Sequence, residues 1–310
     1  MDPGDVIDLT GDSSISSNSD SGNARASGDR RTRRKSAGGL QALGALFRRP
    51  SHSTLRVAQL AHARGIGRSS VVLCNGDTRL FCSTPADRRW ACGYRNCQML
   101  ISALMVHQTR TTDVGSASRF PRGNVPGVDE LQQMLELAWR DGYDPEGAVQ
   151  LRHRVVGTRK WIGATEVYCI MAHLGVATRI VDFPRPSAPD GTHPLLFAWV
   201  LDYYTAAAPA PPGDSDTGVC LTARLPLYLQ HQGHSRTIVG VEIADAGTFL
   251  LVLDPNARPS RDANGRVSLS AFRLPLSGTR HATQYQILYF DESHPAAVSI
   301  SKQVTSVRVS

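Results

Sequence analysis

Between Cys92 and Leu174 the apolar residues return at helical spacing, and from Leu225 onward they run in short strand-like stretches, so helices must form first and a sheet afterwards. Behind Cys92, Met99 and Ala103 repeat four residues apart, as do Leu100 and Leu104, which predicts a buried helix to about His107. Val128, Leu131, Leu135 and Ala138 mark one side of a second helix over 128–140, entered through Pro126-Gly127. A third helix is expected over 161–174, followed by a strand over 178–183. Residues 225–230, 237–243, 248–253 and 285–290 read as strands separated by Gly, Asp and Pro, and 69–74 with 78–82 as short strands around an Asn75-Gly76-Asp77 turn. Two Pro-rich segments, 184–194 and 206–218, flank the apolar stretch 195–204 and read as surface loops. This order predicts an α+β domain from about Ile66 to Ser310.

The 310 residues suffice for one large domain preceded by a tail. Residues 1–39, rich in Ser, Gly, Asp and Arg, bury too little apolar surface to offset ordering and are expected to be disordered. Residues 40–65, with Leu40, Leu43, Leu46 and Phe47 at helical spacing, form a separate helical stretch able to pack on the domain or bind a partner. Met1 to Asp12 is acidic and polar, unlike a secretory signal, and no segment offers about 18 consecutive apolar residues. An intracellular protein without membrane contact is therefore expected. Its net charge of +7 is gathered only at Arg30, Arg31, Arg33, Arg34 and Lys35, and the remaining basic residues lie among acids, so nucleic acid is not the expected partner. The six cysteines read as reduced thiols, and Cys92 and Cys97 have no second pair at zinc-ligand spacing, so neither a metal nor another cofactor is expected.

Cys92 is the candidate nucleophile, because unpaired N–H groups at a helix start favour a thiolate. Taken alone, it reads more readily as a small buried hydrophobe. A thiol hydrolase also needs an imidazole within reach, and His234 opens a predicted strand inside the polar interruption Gln230 to Ser235. Asp254, closing the next strand, can orient that imidazole or simply start a turn. Nucleophile on a helix, base and orienter on a sheet, in the order Cys, His, Asp, is the papain-like arrangement.

The segment Trp90-Ala91-Cys92-Gly93-Tyr94-Arg95-Asn96-Cys97-Gln98-Met99-Leu100 resembles the catalytic motif of the peptidase family that contains the ubiquitin-fold-modifier proteases and the ZUFSP deubiquitinases. The likeness continues through 142–147, 157–166, 180–183 and 226–237. It implies a papain-like fold whose helical part carries the nucleophile and packs on a mainly antiparallel sheet. It also implies that Cys92 is the nucleophile, His234 the acid and base, Asp254 its orienter and Gln230 a donor to the oxyanion. In the modifier-specific branch the histidine follows the aspartate as Asp-Pro-His, whereas this sequence has Asn256 there and His234 upstream. The likeness thus points to hydrolysis of isopeptide bonds in polyubiquitin through an acyl-enzyme, with K63-linked chains the preference of longer ZUFSP proteins. A protease for another ubiquitin-like modifier is the alternative.

A ubiquitin tail ends in two glycines preceded by arginines, which calls for a narrow groove and acidic partners. Asp144 and Glu166 are candidates for that task, or else helix caps; Trp161 walls the groove or fills the core. In the tail, Val6, Ile7, Asp8 and Leu9 resemble a SUMO-interacting motif or form a chance apolar cluster, and the run from Arg30 to Lys35 reads as a nuclear localisation signal or a solubilising linker. The expected location is nucleus or cytoplasm. A non-catalytic SUMO-binding adaptor is the remaining reading.

Overall fold

The computed structural model describes residues 70–75, 78–111, 124–206, 219–258, 260–261, 267–268, 270–294 and 299–309. The tail over 1–39, with Val6 to Leu9 and the basic run, and the helical stretch 40–65 lie outside them.

Helices precede most of the sheet, as the change of period predicts. In chain order the elements are β1 (Ser70–Leu73), α1 (Cys92–Thr111), α2 (Val128–Arg140), α3 (Pro145–Gln150), α4 (Ala164–His173), β2 (Thr178–Phe183), α5 (Pro194–Thr205), β3 (Val219–Leu221), β4 (Leu227–His231), β5 (His234–Ala244), β6 (Gly247–Leu253), β7 (Ser260–Arg261), β8 (Val267–Ser268), β9 (Arg273–Pro275), β10 (Tyr285–Phe290) and β11 (Ser306–Arg308). Short 3-10 turns cover Ser270–Phe272 and Leu276–His281.

The main sheet has nine strands and runs β11-β2-β10-β4-β5-β1-β3, with β6 on β5 and β9 on β6. Only β1 with β3 and β11 with β2 are parallel. The centre is β5, which pairs with β4 at its start, with β1 further along, and with β6 over Thr237–Ala244. At Gly240 a Cβ would lie 2.2 Å from the Val72 carbonyl oxygen, so only glycine lets β1 come this close.

Strand alternation feeds two apolar layers. Val181, Leu227, Leu229 and Ile287 join α5 residues such as Phe197 and Val200 on one side. Ile180, Tyr228 and Leu288 join Leu100, Leu131, Leu135 and Ile170 of α1, α2 and α4 on the other. The α+β expectation therefore holds, with the helical part bearing Cys92 packed on a mainly antiparallel sheet.

Three local expectations change. Residues 78–82 form no strand: the backbone N–H groups of Arg79 and Ser83 donate to Ser102 Oγ and the Pro255 carbonyl, and β1 finds its partners in β3 and β5. The third helix starts at Ala164, because the Gly163 N–H donates to Glu166 Oε2 at 2.7 Å and fixes the N-terminus there. The apolar stretch 195–204, to which the sequence assigns no element, is α5, opened by Pro194 at its first turn; Leu196, Phe197, Val200, Tyr203 and Tyr204 form its buried face at helical spacing, while Leu195, Ala198 and Asp202 are exposed.

Candidate active site

Five of the six thiols are buried, and Cys92 alone is half-buried. Burial pushes Cys97 and Cys169 up and Cys220 up to about 12. At Cys92 burial acts in the same sense but is outweighed by hydrogen bonds from His234 and Ser235 and by the charge on His234, which bring the thiol below its ordinary value. Cys92 is the first residue of α1, where free N–H groups add to this bias.

His234 opens β5 and faces Asp254 just past β6, with 2.8 Å between Nε2 and Oδ2. With Nε2 engaged there, Nδ1 is the nitrogen left for the Cys92 sulfur. Burial works against a charge on His234; hydrogen bonds to Asp254 and Cys92 and the Asp254 carboxylate overcome it and hold the imidazole up to about 9. Burial likewise opposes ionisation of Asp254, which His234, the Asn256 N–H and Arg236 nevertheless keep low. Sulfur, imidazole and carboxylate are thus poised as an ion pair with an orienter.

Arg236, two residues along the same strand, donates from Nε to the same Asp254 oxygen at 2.9 Å and approaches His231 Nε2 at 3.3 Å with Nη1. A guanidinium can only donate, so His231 accepts there and holds its proton on Nδ1, 3.0 Å from the Gln232 carbonyl. Burial and the Arg236 charge both keep His231 neutral. This second histidine is therefore part of the support for Asp254.

Gln230, opposite Ser235 across the β4–β5 hairpin, has its amide orientation fixed. Its Oε1 accepts from Tyr228 at 2.9 Å and one N–H donates to the His231 carbonyl at 2.7 Å, leaving the other N–H for a further acceptor. Gly163, on the segment before α4, lies against Gln230 and Glu166. Gly93 serves this same packing: a Cβ there would lie 2.5 Å from the Ile162 carbonyl oxygen, so glycine is required by the protein's own backbone. Gly93→Ala is expected to cost about 1–3 kcal/mol through overpacking. A lowered thermal midpoint together with slower alkylation of Cys92 would register it.

Asp144 and Glu166 meet at a second feature, a cavity of about 270 Å³ lined also by Glu146, Gln286, Val304 and Ser306. Both acids do cap helices: Glu166 as described, and Asp144 by accepting from the Gly147 N–H at 3.2 Å in a left-handed backbone conformation with φ 45°. Capping does not exhaust them. Asp144 Oδ2 is buried with no hydrogen-bond partner, and burial, reinforced by the Asp144 charge, pushes the Glu166 carboxyl up despite the Gly163 N–H. Trp161 fills no core: it is 55% exposed and its ring lies 3.6 Å from where a Cβ on Gly233 would stand, against the β4–β5 turn.

Strand register connects the two features. Ser235, Gln230, Gln286, Asp182 and Arg308 stand opposite one another across β5, β4, β10, β2 and β11. Gln286 donates to Asp182 at 2.8 Å, and Ser306 donates to the other Asp182 oxygen. A continuous polar row thus leads from the thiol to the acidic cavity. The segment 299–309 closes the cavity, tied down where the Asp144 N–H meets the Lys302 carbonyl and Tyr168 donates to that of Ser301.

Sequence reasoning did not single out Asn96, Ser235, Tyr228 or Arg236. All four fall in the motif segments around Cys92 and His234, which was the one signal available. Among the described residues no group of three or more His, Cys, Asp or Glu is placed to hold a metal, and no helix is long and apolar enough to cross a membrane.

A helix-borne thiol facing a sheet-borne imidazole and carboxylate is the layout of the papain-like thiol hydrolases. Within that class, the chain belongs to peptidase family C78, whose model matches residues 67–288. It is 41% identical over 216 residues to human zinc finger-containing ubiquitin peptidase 1, covering 67% of this chain and 35% of that protein. It is 37% identical over 199 residues to the ubiquitin carboxyl-terminal hydrolase mug105 of Schizosaccharomyces pombe, covering 64% of this chain and 72% of that one. The chain thus spans about a third of the length of the zinc-finger relative and most of the yeast one. A solved structure of UfSP from Caenorhabditis elegans matches with a TM-score of 0.44 and 17% identity, over 78% of this chain and 39% of that one.

Proposed function

We propose that the protein is a deubiquitinating cysteine peptidase that hydrolyses isopeptide bonds in polyubiquitin. The observation that carries this reading is His234, hydrogen-bonded to Asp254 and lowering the Cys92 thiol, in a family C78 chain whose relatives are named as ubiquitin peptidases. The Cys92 thiolate attacks the carbonyl carbon of the terminal glycine, and the oxyanion takes hydrogen bonds from the free Gln230 N–H and the Cys92 backbone N–H. His234 then gives its proton to the departing lysine amine, leaving a thioester on Cys92. With His234 as base, water attacks that thioester and releases the ubiquitin carboxylate and free thiol.

The polar row supplies the direction of binding. Crossing two to three strands at about 4.8 Å each corresponds to roughly three or four extended residues, so the cavity lies where the tail arginines fall when its last glycine is at Cys92. A guanidinium there would give Asp144 Oδ2 the partner it lacks and relieve the crowding of Asp144 and Glu166. Trp161 and Gly233 wall the approach, which suits a diglycine end. The amide substitutions Asp144→Asn and Glu166→Gln keep the caps and remove the charge. Each is expected to raise KM for a fluorogenic ubiquitin substrate about tenfold, with kcat little changed.

Asn256 at the place of the modifier-specific histidine favours ubiquitin over its relative. K63-linked chains are the proposed preference, the 66–310 region the peptidase domain, and nucleus or cytoplasm the location. The tail is proposed to bring the enzyme to SUMO-bearing proteins through Val6 to Leu9. Reaction of the full chain with a ubiquitin probe bearing a C-terminal electrophile, beside the same probe on SUMO and on the ubiquitin-fold modifier, tests the reading. Labelling by ubiquitin alone is expected; a folded protein inert to ubiquitin would sink it. Cleavage of all chain linkages in parallel, with K63 not preferred, would remove the linkage assignment.

A further inference from the structure

Asn96, one turn into α1, is completely buried, yet its side chain is fully used. Its Nδ2 lies 2.8 Å from the Cys92 carbonyl oxygen and 3.0 Å from Ser235 Oγ, and its Oδ1 accepts from Thr237 Oγ1 at 2.8 Å. A carbonyl can only accept, so the NH2 end must face Cys92 and the orientation of the amide is settled. The same NH2 then donates to the Ser235 hydroxyl, whose own hydrogen is left to point elsewhere. Ser235 is also completely buried and sits next to His234, and its hydroxyl and backbone both act on Cys92 in the sense that favours the thiolate.

We propose that Asn96 is a positioning residue: by donating to Ser235 Oγ it turns the Ser235 hydroxyl toward the Cys92 sulfur, and by binding the Cys92 carbonyl and Thr237 it locks the start of α1 to the strand that carries His234. Ser235 is thereby a second donor to the thiolate, independent of the imidazole. Asn96 touches no reacting atom and acts through Ser235 and the register between α1 and β5. The proposal rests on the reading of Cys92 as nucleophile.

The test uses the full chain and three substitutions, Asn96→Leu, Ser235→Ala and the near-isosteric Thr237→Val. The pH profile of Cys92 alkylation by iodoacetamide is measured against a Cys92→Ala blank, and kcat and KM are measured with a fluorogenic ubiquitin substrate. Loss of a hydrogen bond to a charged group predicts a profile moved to higher pH for Asn96→Leu and Ser235→Ala, with alkylation below the transition slowed roughly tenfold. The same two should lower kcat about tenfold at nearly constant KM, and Thr237→Val should move both readouts in the same direction by less. A folded Ser235→Ala or Asn96→Leu with the wild-type alkylation profile overturns the proposal, as does a lowered thermal midpoint with that profile unchanged. If Asn96→Leu does not fold, Ser235→Ala decides. Alkylation needs no substrate, so it answers even if ubiquitin proves not to be cleaved.

Discussion

Cys92→Ala is expected to abolish ubiquitin cleavage and covalent capture of the electrophilic ubiquitin probe, with turnover falling by at least about 10⁴-fold, because no other described thiol is accessible. Thermal unfolding should barely move, since the side chain is half-buried at the start of a helix whose core contacts lie further along. The active protein should show a plateau of activity bounded on the alkaline side near the point where His234 loses its proton, about 9. The sign follows from the ion pair: the thiolate is stabilised only while the imidazole is protonated, so the rate falls as pH rises through that value. Retention of cleavage by Cys92→Ala would remove the nucleophile assignment altogether.

The second large effect is expected for Asp254→Asn. The carboxylate holds His234 by a 2.8 Å hydrogen bond and by its charge, and among the described residues it alone meets the nitrogen turned away from the sulfur. An amide at that place can offer the wrong end to the imidazole and no charge, so kcat should fall on the order of 10²–10⁴-fold. The alkaline limb should also move to lower pH, because the groups that raise the proton affinity of His234 are weakened. A stability consequence accompanies this. The raised proton affinity of His234 contributes stability that is fully present below about 6.5 and is lost as pH rises through about 9. In Asp254→Asn that dependence should flatten, measurable as unfolding midpoints across the same pH range. An unchanged rate profile in the folded variant would leave Asp254 as a turn residue only.

Much of this arrangement was legible in the sequence because it coincides with breaks in pattern. Cys92 stands where a four-residue repeat begins, and His234 and Asp254 are polar residues at the ends of apolar strands. The α+β order followed from period alone. What stayed hidden depends on contacts between elements distant in the chain. Asn96, Ser235 and Thr237 look like surface positions of a helix and a strand; only the packing of α1 on β5 makes them a buried cluster. Helix α5 shows little alternation of polarity because its exposed face carries Leu195 and Ala198 beside Asp202, and 78–82 has strand-like composition but backbone groups already bound elsewhere. Trp161 gives no sign in the sequence that its ring lies at the surface over the β4–β5 turn. Segment 299–309 contributes to the acidic cavity through an exposed three-residue strand too short to announce itself.

The position of β5 has one more consequence. A strand bound by β4, β1 and β6 cannot open without parting the sheet along several ladders at once, so its backbone amides belong to the slowest-exchanging class in the molecule. His234 is anchored in that strand. It stands at the strand's first residue, however, where only β4 pairs with it, since β6 joins from Thr237 and β1 from Gly240; the imidazole can move with the β4–β5 turn while the middle of the strand stays closed, and its bond to Asp254 is what holds it there.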